Sequence, residues 1–191
     1  MNVRMGTESD AEPAAALHAS EIDEGFLASL GVPLLTRLYR RIVRWPRSFL
    51  LVAVADGNVG GMVAATEETS GLYRAFLLHD GASAVLHSAP RLLRSSRRVI
   101  ETLRYPSRRE GAVVGEILAV AVVPDARGQG LGRKLVDTAT RELARRGVTT
   151  TEVVTAADNL AAQALYRTAG FAVARHIDVH AGTPSVVLVR R

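Results

Sequence analysis

A chain of 191 residues, 48% apolar and 23% charged, is long enough to bury one good core and has no break in composition that would demand a second domain. No apolar run reaches the roughly 18 residues of a membrane helix, and the N-terminal "MNVRMGTESDAEP" lacks the charged-then-apolar pattern of a signal peptide, so a soluble cytoplasmic protein is expected. The absence of cysteine excludes disulfides, thiolate metal sites and a covalent intermediate on sulfur.

In chain order, "NVRMGT" (residues 2–7) reads as a short strand and "SDAEPAAALHASEI" (9–22) as a helix, with Ser9 and Glu12 at capping-box spacing and Pro13 in the first turn. "VPLLTRLYRRIVRW" (32–45) is a second helix, opened by Pro33 and stopped before Pro46. The clearest hairpin is "FLLVAVADGNVGGMVAAT" (49–66), two β-rich runs joined around Asp56-Gly57-Asn58. Residues 66–110 read as mostly helical. Within them "RLLRSSRRVIETLRYPSRR" gathers Leu92, Leu93, Val99, Ile100 and Leu103 on one helical face and Arg91, Arg94, Arg97, Arg98, Glu101 and Arg104 on the other. That is the pattern of a core-packing helix with a solvated back.

The formal net charge of +5 rests on 23 arginines and one lysine, Lys134, in an alanine-rich chain. Such a bias fits a GC-rich genome better than phosphate binding, so nucleic acid is not the expected partner. Next come the apolar strand "GEILAVAVV" (115–123), the helix "LGRKLVDTATRELARRG" (131–147), the β-branched strand "VTTTEVVTA" (148–156) and the helix "NLAAQALYRTAG" (159–170) with Gly170 at its C-terminal cap. "FAVARHIDVH" (171–180) and "SVVLVRR" (185–191) close the chain as strands. The order predicts a mixed α/β domain over residues 1–191, with a mostly antiparallel sheet of about seven strands, flanked by helices, and a crossover helix after the fourth strand.

One turn carries chemistry. In "VVPDARGQGLGRKLV" (122–136), Gly128, Gly130 and Gly132 alternate where a strand becomes a helix. Unpaired N–H groups at the positive end of a helix dipole make an anion site, and missing Cβ atoms let a diphosphate approach the main chain, with Arg127 and Arg133 adding charge. A dinucleotide-binding turn wants G-x-G-x-x-G and a Walker loop wants G-x-x-x-x-G-K-[ST]. The spacing here is G-x-G-x-G, and Lys134 is followed by Leu135, so neither fits.

This block resembles the acetyl-coenzyme A signature of the GNAT superfamily of N-acetyltransferases, R/Q-x-x-G-x-G/A, filled by Arg127, Gly130 and Gly132. A second block, "TAADNLAAQALYRTAGF", is similar to that family's N-x-x-A-x-x-L-Y-x-x-x-G-F, through Asn159, Ala162, Leu165, Tyr166, Gly170 and Phe171. The resemblance implies that the fourth strand splays from the fifth, so that the main chain of Val120 and Val122 pairs with a pantetheine arm. It implies too that the amides of Arg127, Gly128, Gln129, Gly130, Leu131, Gly132 and Arg133 hold the pyrophosphate, and that Asn159 and Ala162 meet the arm from the next helix. The amide near Val120 is the expected donor to the thioester oxygen. Tyr166 is implied as the acid for the departing thiolate.

The attacking amine needs a base. Strand alternation gives Glu116 the facing parity of Val120 and Val122, pointing it along the cleft unless a bulge intervenes; Glu67 and Glu68 are the alternatives. Enzymes of this kind that acetylate protein N-termini often carry a glutamate five residues before the motif asparagine. That position is Val154, near Glu152, which weighs against such a role. His176 and His180 share a strand face but have no third ligand nearby, so no metal is expected. The expected reaction is direct transfer from acetyl-CoA to a small primary amine entering near Phe26, Tyr39, Trp45 and the 66–110 insert. Protein or peptide acetylation and a non-catalytic acyl-CoA sensor are the alternatives. A homodimer stays open, and no membrane partner is expected.

Overall fold

The computed structural model describes residues 1–22, 31–80, 113–179 and 183–191. The arginine-rich run 91–109, Phe26 and His180 lie outside them.

Seven strands, β1 (Asn2–Met5), β2 (Ser48–Ala55), β3 (Asn58–Thr66), β4 (Val114–Val122), β5 (Thr150–Ala156), β6 (Ala172–Val179) and β7 (Thr183–Arg190), form one sheet in the order β1-β2-β3-β4-β5-β7-β6. Every neighbouring pair is antiparallel except β4 and β5, which run parallel. A parallel pair needs a crossover, and here it is the helix between them. Helices α1 (Ala11–Glu21), α2 (Val32–Arg44) and α3 (residues 69–80) cover one face, and α4 (Leu131–Arg145) and α5 (Leu160–Thr168) cover the other.

Both faces of the central strands are buried, so β2 reads as a continuous apolar run rather than an alternation. Phe49, Leu51 and Ala53 pack towards α4, while Leu50 and Val52 pack towards α1 and α2. Helix α4 presents Leu131, Leu135, Ala139 and Leu143 at four-residue spacing, with Leu135, Ala139 and Leu143 fully buried. Helix α2 does the same with Leu35, Leu38, Tyr39 and Ile42.

The entry to α1 differs from the sequence expectation. The cap is made by Thr7 and Asp10 rather than Ser9 and Glu12: the Thr7 N–H donates to Asp10 Oδ2 at 2.7 Å, and a short 3-10 turn, Glu8–Asp10, precedes the helix. The Asp10 carboxylate is also gripped by Arg4 of β1, at 2.7 and 2.8 Å. Those hydrogen bonds hold it down to about 2.

The second difference bears on function. The ladder of β3 and β4 slips between Ala64↔Ala119 and Ala65↔Ile117, leaving Leu118 as an extra residue on β4. Ile117 therefore joins the α4 side of the core, whereas Ala119 and Ala121 join the α1 side. Parity inverts across the bulge: Val120 and Val122 face α4 and α5, and Glu116 faces α3.

Candidate functional site

β4 and β5 pair from Val114↔Thr150 to Ile117↔Val153 and then part. Beyond that point β4 stays with β3 and β5 with β7. Antiparallel ladders alternate the direction of main-chain groups, and the Val123 N–H donates back to Gly60 on β3 at 2.9 Å. The N–H and C=O of Val122 and Val120 thus point the other way, into the gap. Their half-buried side chains, with those of Ala157, Ala162 and Leu165, line the α4 side of that opening. An extended chain with amide groups, such as a pantetheine arm, fits this edge as an added strand would.

At the end of β4 the turn Pro124–Ala126 leads into the glycine loop. Gly128 (φ +72°) and Gly130 (φ +78°) adopt left-handed backbone that a side chain resists, and Gly130 is the N-cap of α4. The first helical bond is Lys134 N–H to Gly130 O, 3.0 Å, so the amides of Leu131, Gly132 and Arg133 have no intrahelical acceptor. Gln129 braces the loop through Nε2 to Asp125 O at 2.8 Å. Leu131 offers only its amide, because its side chain is core. Donors so placed at the positive end of a helix fit a diphosphate, and among the described residues no atom within 4 Å would meet a Cβ at Gly128 or Gly130. Arg127 spans the mouth: its Nε donates to Val122 O at 3.2 Å, and its Nη2 pairs with Glu21 at the end of α1. Arg133 is exposed and lies 3.6 Å from Asp137.

Asn159 is the N-cap of α5, its Oδ1 accepting from the Ala162 N–H at 2.9 Å. Its side-chain amide has no acceptor among the described residues. Tyr166 is buried in the α4-side core, its ring 5.8 Å from that of Phe171 at 59°. Burial holds the proton affinity of its hydroxyl well above that of an ordinary tyrosine, so it stays protonated.

Across the sheet, Glu116 is half-buried and accepts a hydrogen bond from the Thr69 hydroxyl of α3. Burial raises its carboxyl above the usual carboxylate range, Thr69 opposes that rise, and neighbouring Glu152 adds to it. Such a group takes up a proton near neutrality more readily than a solvated carboxylate. The alternatives are placed elsewhere. Glu67 pairs with Arg146 at 3.3 Å, whose guanidinium lies 4.6 Å over the Phe49 ring on the α4 side, and Glu68 pairs with Arg47 at 2.7 Å.

The substrate-entry residues need correction. Tyr39 is 1% exposed, lines no opening, and bonds within the core to His18 Nδ1 at 2.8 Å and Met62 Sδ at 3.5 Å. Trp45 is half-buried at the far end of α2. His176 is exposed, and no group of three metal-ligating side chains is gathered among the described residues. Sequence reasoning missed Thr69 and Tyr73, which belong to no motif, the Glu152–Arg175 pair, and the hold of Glu21 on Arg127. The opposed positions of Glu116 and Glu152 in two strands flanking a crossover helix were the available signal.

Comparison with known proteins agrees with this architecture. Mycothiol acetyltransferase of Cellulomonas flavigena is 43% identical over 79 residues, which is 41% of this chain and 22% of that protein. The enzyme of the same name from Beutenbergia cavernae is 46% identical over 60 residues, 31% of this chain and 20% of that protein. The chain thus matches about a fifth of the length of these relatives. Among solved structures, an aminoglycoside antibiotic 6'-N-acetyltransferase from Acinetobacter haemolyticus superposes with a TM-score of 0.62 at 16% identity, covering 95% of this chain and 97% of that one. The ribosomal-protein-S18-alanine N-acetyltransferase of Escherichia coli gives 0.58 at 17% identity, covering 98% and 91%. At such identities the likeness shows the fold alone. The profile described as "Acetyltransferase (GNAT) family" matches residues 19–171, and with the parted strands and glycine loop in place the chain belongs to that family, whose members use acetyl-CoA as co-substrate.

Proposed function

We propose that residues 1–191 act as one catalytic domain that transfers an acetyl group from acetyl-CoA to the primary amine of a small molecule, by direct attack in a ternary complex. The observation that carries this reading is the parting of β4 from β5 beside a loop of left-handed glycines at a helix N-terminus. Sequence relatives named for a small molecule, mycothiol, support the choice of acceptor class. In this reading the main chain of Val120 and Val122 takes the pantetheine arm, the loop amides from Arg127 to Arg133 take the diphosphate, and Asn159 offers its free amide to the arm.

Glu116, on the α3 side, removes the proton from the acceptor ammonium. The nitrogen lone pair then forms the new C–N bond as the C–S bond breaks, the Val120 amide steadies the carbonyl oxygen, the Tyr166 hydroxyl gives its proton to the leaving sulfur, and the second proton of the acylated nitrogen leaves to solvent, from which Tyr166 regains its own. A cytoplasmic location belongs to this reading, since acetyl-CoA is made and spent inside cells, and light scattering decides between a monomer and a homodimer.

The test is release of free thiol from acetyl-CoA by the purified chain against a library of primary amines. Turnover with a small amine is expected, and Tyr166→Phe lowers kcat about 100-fold or more while coenzyme A binding is unchanged. Binding of coenzyme A with no turnover on any small amine overturns the proposal.

A further inference from the structure

Glu116 and Glu152 stand opposite one another in the parallel ladder of β4 and β5. Their side chains therefore leave the same face of the sheet from strands about 4.8 Å apart. Two carboxylates so placed, half-buried and buried, repel unless their surroundings separate their protonation states. Their surroundings differ. Arg175 of β6 reaches across β7 to Glu152, with Nη1 to Oε1 at 3.3 Å and Nη2 to Oε2 at 3.1 Å. This two-pronged contact sets the guanidinium fork against both oxygens of the Glu152 carboxyl.

Glu116 is bonded by no cation among the described residues. From α3 it accepts a hydrogen bond from the Thr69 hydroxyl and lies within electrostatic reach of Tyr73, and from β5 it faces Glu152 across the ladder. From β3 its register partner is Thr66, whose hydroxyl donates instead to Arg47 O at 3.0 Å. One carboxylate of the pair is thus tied to a cation and the other is not.

We infer that Arg175 is a positioning residue for the proposed base: by pairing with Glu152, it leaves Glu116 as the carboxylate of the opposed pair that accepts the amine's proton. The inference rests on Glu116 being that base. The step it serves moves one proton from the acceptor ammonium to a Glu116 carboxylate oxygen, and the bonding electron pair stays on nitrogen. Without Arg175 neither carboxylate of the opposed pair has a cation among the described residues, and the two interact as a coupled pair.

The experiment is a pH titration of the Glu116 carboxyl carbon by 13C NMR in the full-length chain labelled at glutamate, the resonance being assigned by its loss in Glu116→Gln. Arg175→Met is expected to raise the Glu116 midpoint by about one pH unit, and the double variant Glu152→Gln/Arg175→Met to bring it back to or below the wild-type value. An unchanged midpoint in Arg175→Met overturns the inference, and so does a raised midpoint that the double variant fails to restore. Should Arg175→Met not fold, Glu152→Gln alone decides: removing the like charge and leaving Arg175 must lower the midpoint, and a static midpoint overturns the inference. Failure of the underlying reading looks different. Glu116→Gln would then turn over the amine found in the thiol-release screen at the wild-type rate, whatever the NMR midpoints show.

Discussion

Replacing Gly130 with alanine separates two demands on the glycine loop, one conformational and one made by the ligand. Gly130 has φ +78°, and a Cβ there would meet no protein atom within 4 Å. The cost within the protein is therefore backbone strain alone, about 1–2 kcal/mol, which lowers Tm by about 2–8 °C in a chain of this length. That open space lies where the diphosphate is proposed to rest against the amides of Leu131, Gly132 and Arg133. A methyl group there should weaken coenzyme A binding by about tenfold or more, equivalent to about 1.4 kcal/mol.

Gly147 supplies the control, since it sits just past the other end of α4 with φ +89° and nothing within 4 Å of its Cβ position. Gly147→Ala should lose the same stability and none of the affinity. Isothermal titration with coenzyme A, beside thermal melts of both variants, makes the comparison. Equal affinity for coenzyme A in Gly130→Ala and Gly147→Ala, at matched Tm, would refute the assignment of the loop to the diphosphate.

Two further perturbations follow from particular side chains. His18 is 1% exposed and burial lowers it to about 4, so the folded protein holds it neutral. Its contribution is complete above the unfolded value near 6.5 and is lost as pH falls towards 4, about 3 kcal/mol in all. His18→Gln, which retains a partner for Tyr39, should flatten that acid loss, and urea midpoints at pH 7 and pH 4.5 that fall equally in variant and wild type would contradict the assignment. Glu21 pairs with Arg127, whose side chain is 56% exposed at the loop mouth, and in the proposed complex it competes with a diphosphate for that guanidinium. Glu21→Gln should tighten coenzyme A binding about twofold to fivefold, and weaker binding by calorimetry would show that Glu21 holds Arg127 in the productive pose.

The element order was legible because α2 and α4 carry clean helical stripes, the β2–β3 hairpin carries Asp56-Gly57, and Gly147 and Gly170 end their helices. The α1 cap was misplaced because the choice between Thr7 and Ser9 is made by a tertiary contact, the grip of Arg4 on Asp10. Substrate entry was placed near Tyr39, although its place on the Leu35, Leu38 and Ile42 stripe already marked it as core.

The bulge at Leu118 had no local signal at all. "GEILAVAVV" contains no glycine or proline at that point, and both faces of β4 are apolar, so a one-residue slip exchanges one small aliphatic side chain for another and leaves the pattern unchanged. Its effect nevertheless reaches the chemistry. Without the extra residue Glu116 would share a face with Val120 and Val122 and crowd the side assigned to the thioester. With it, the strand whose edge is proposed to take the pantetheine arm turns its carboxylate to the opposite face, beside Thr69 and Glu152. The sheet thereby becomes a partition: in the proposed reaction the acyl donor lies along one side of β4, the amine is deprotonated on the other, and the two meet where β4 and β5 part.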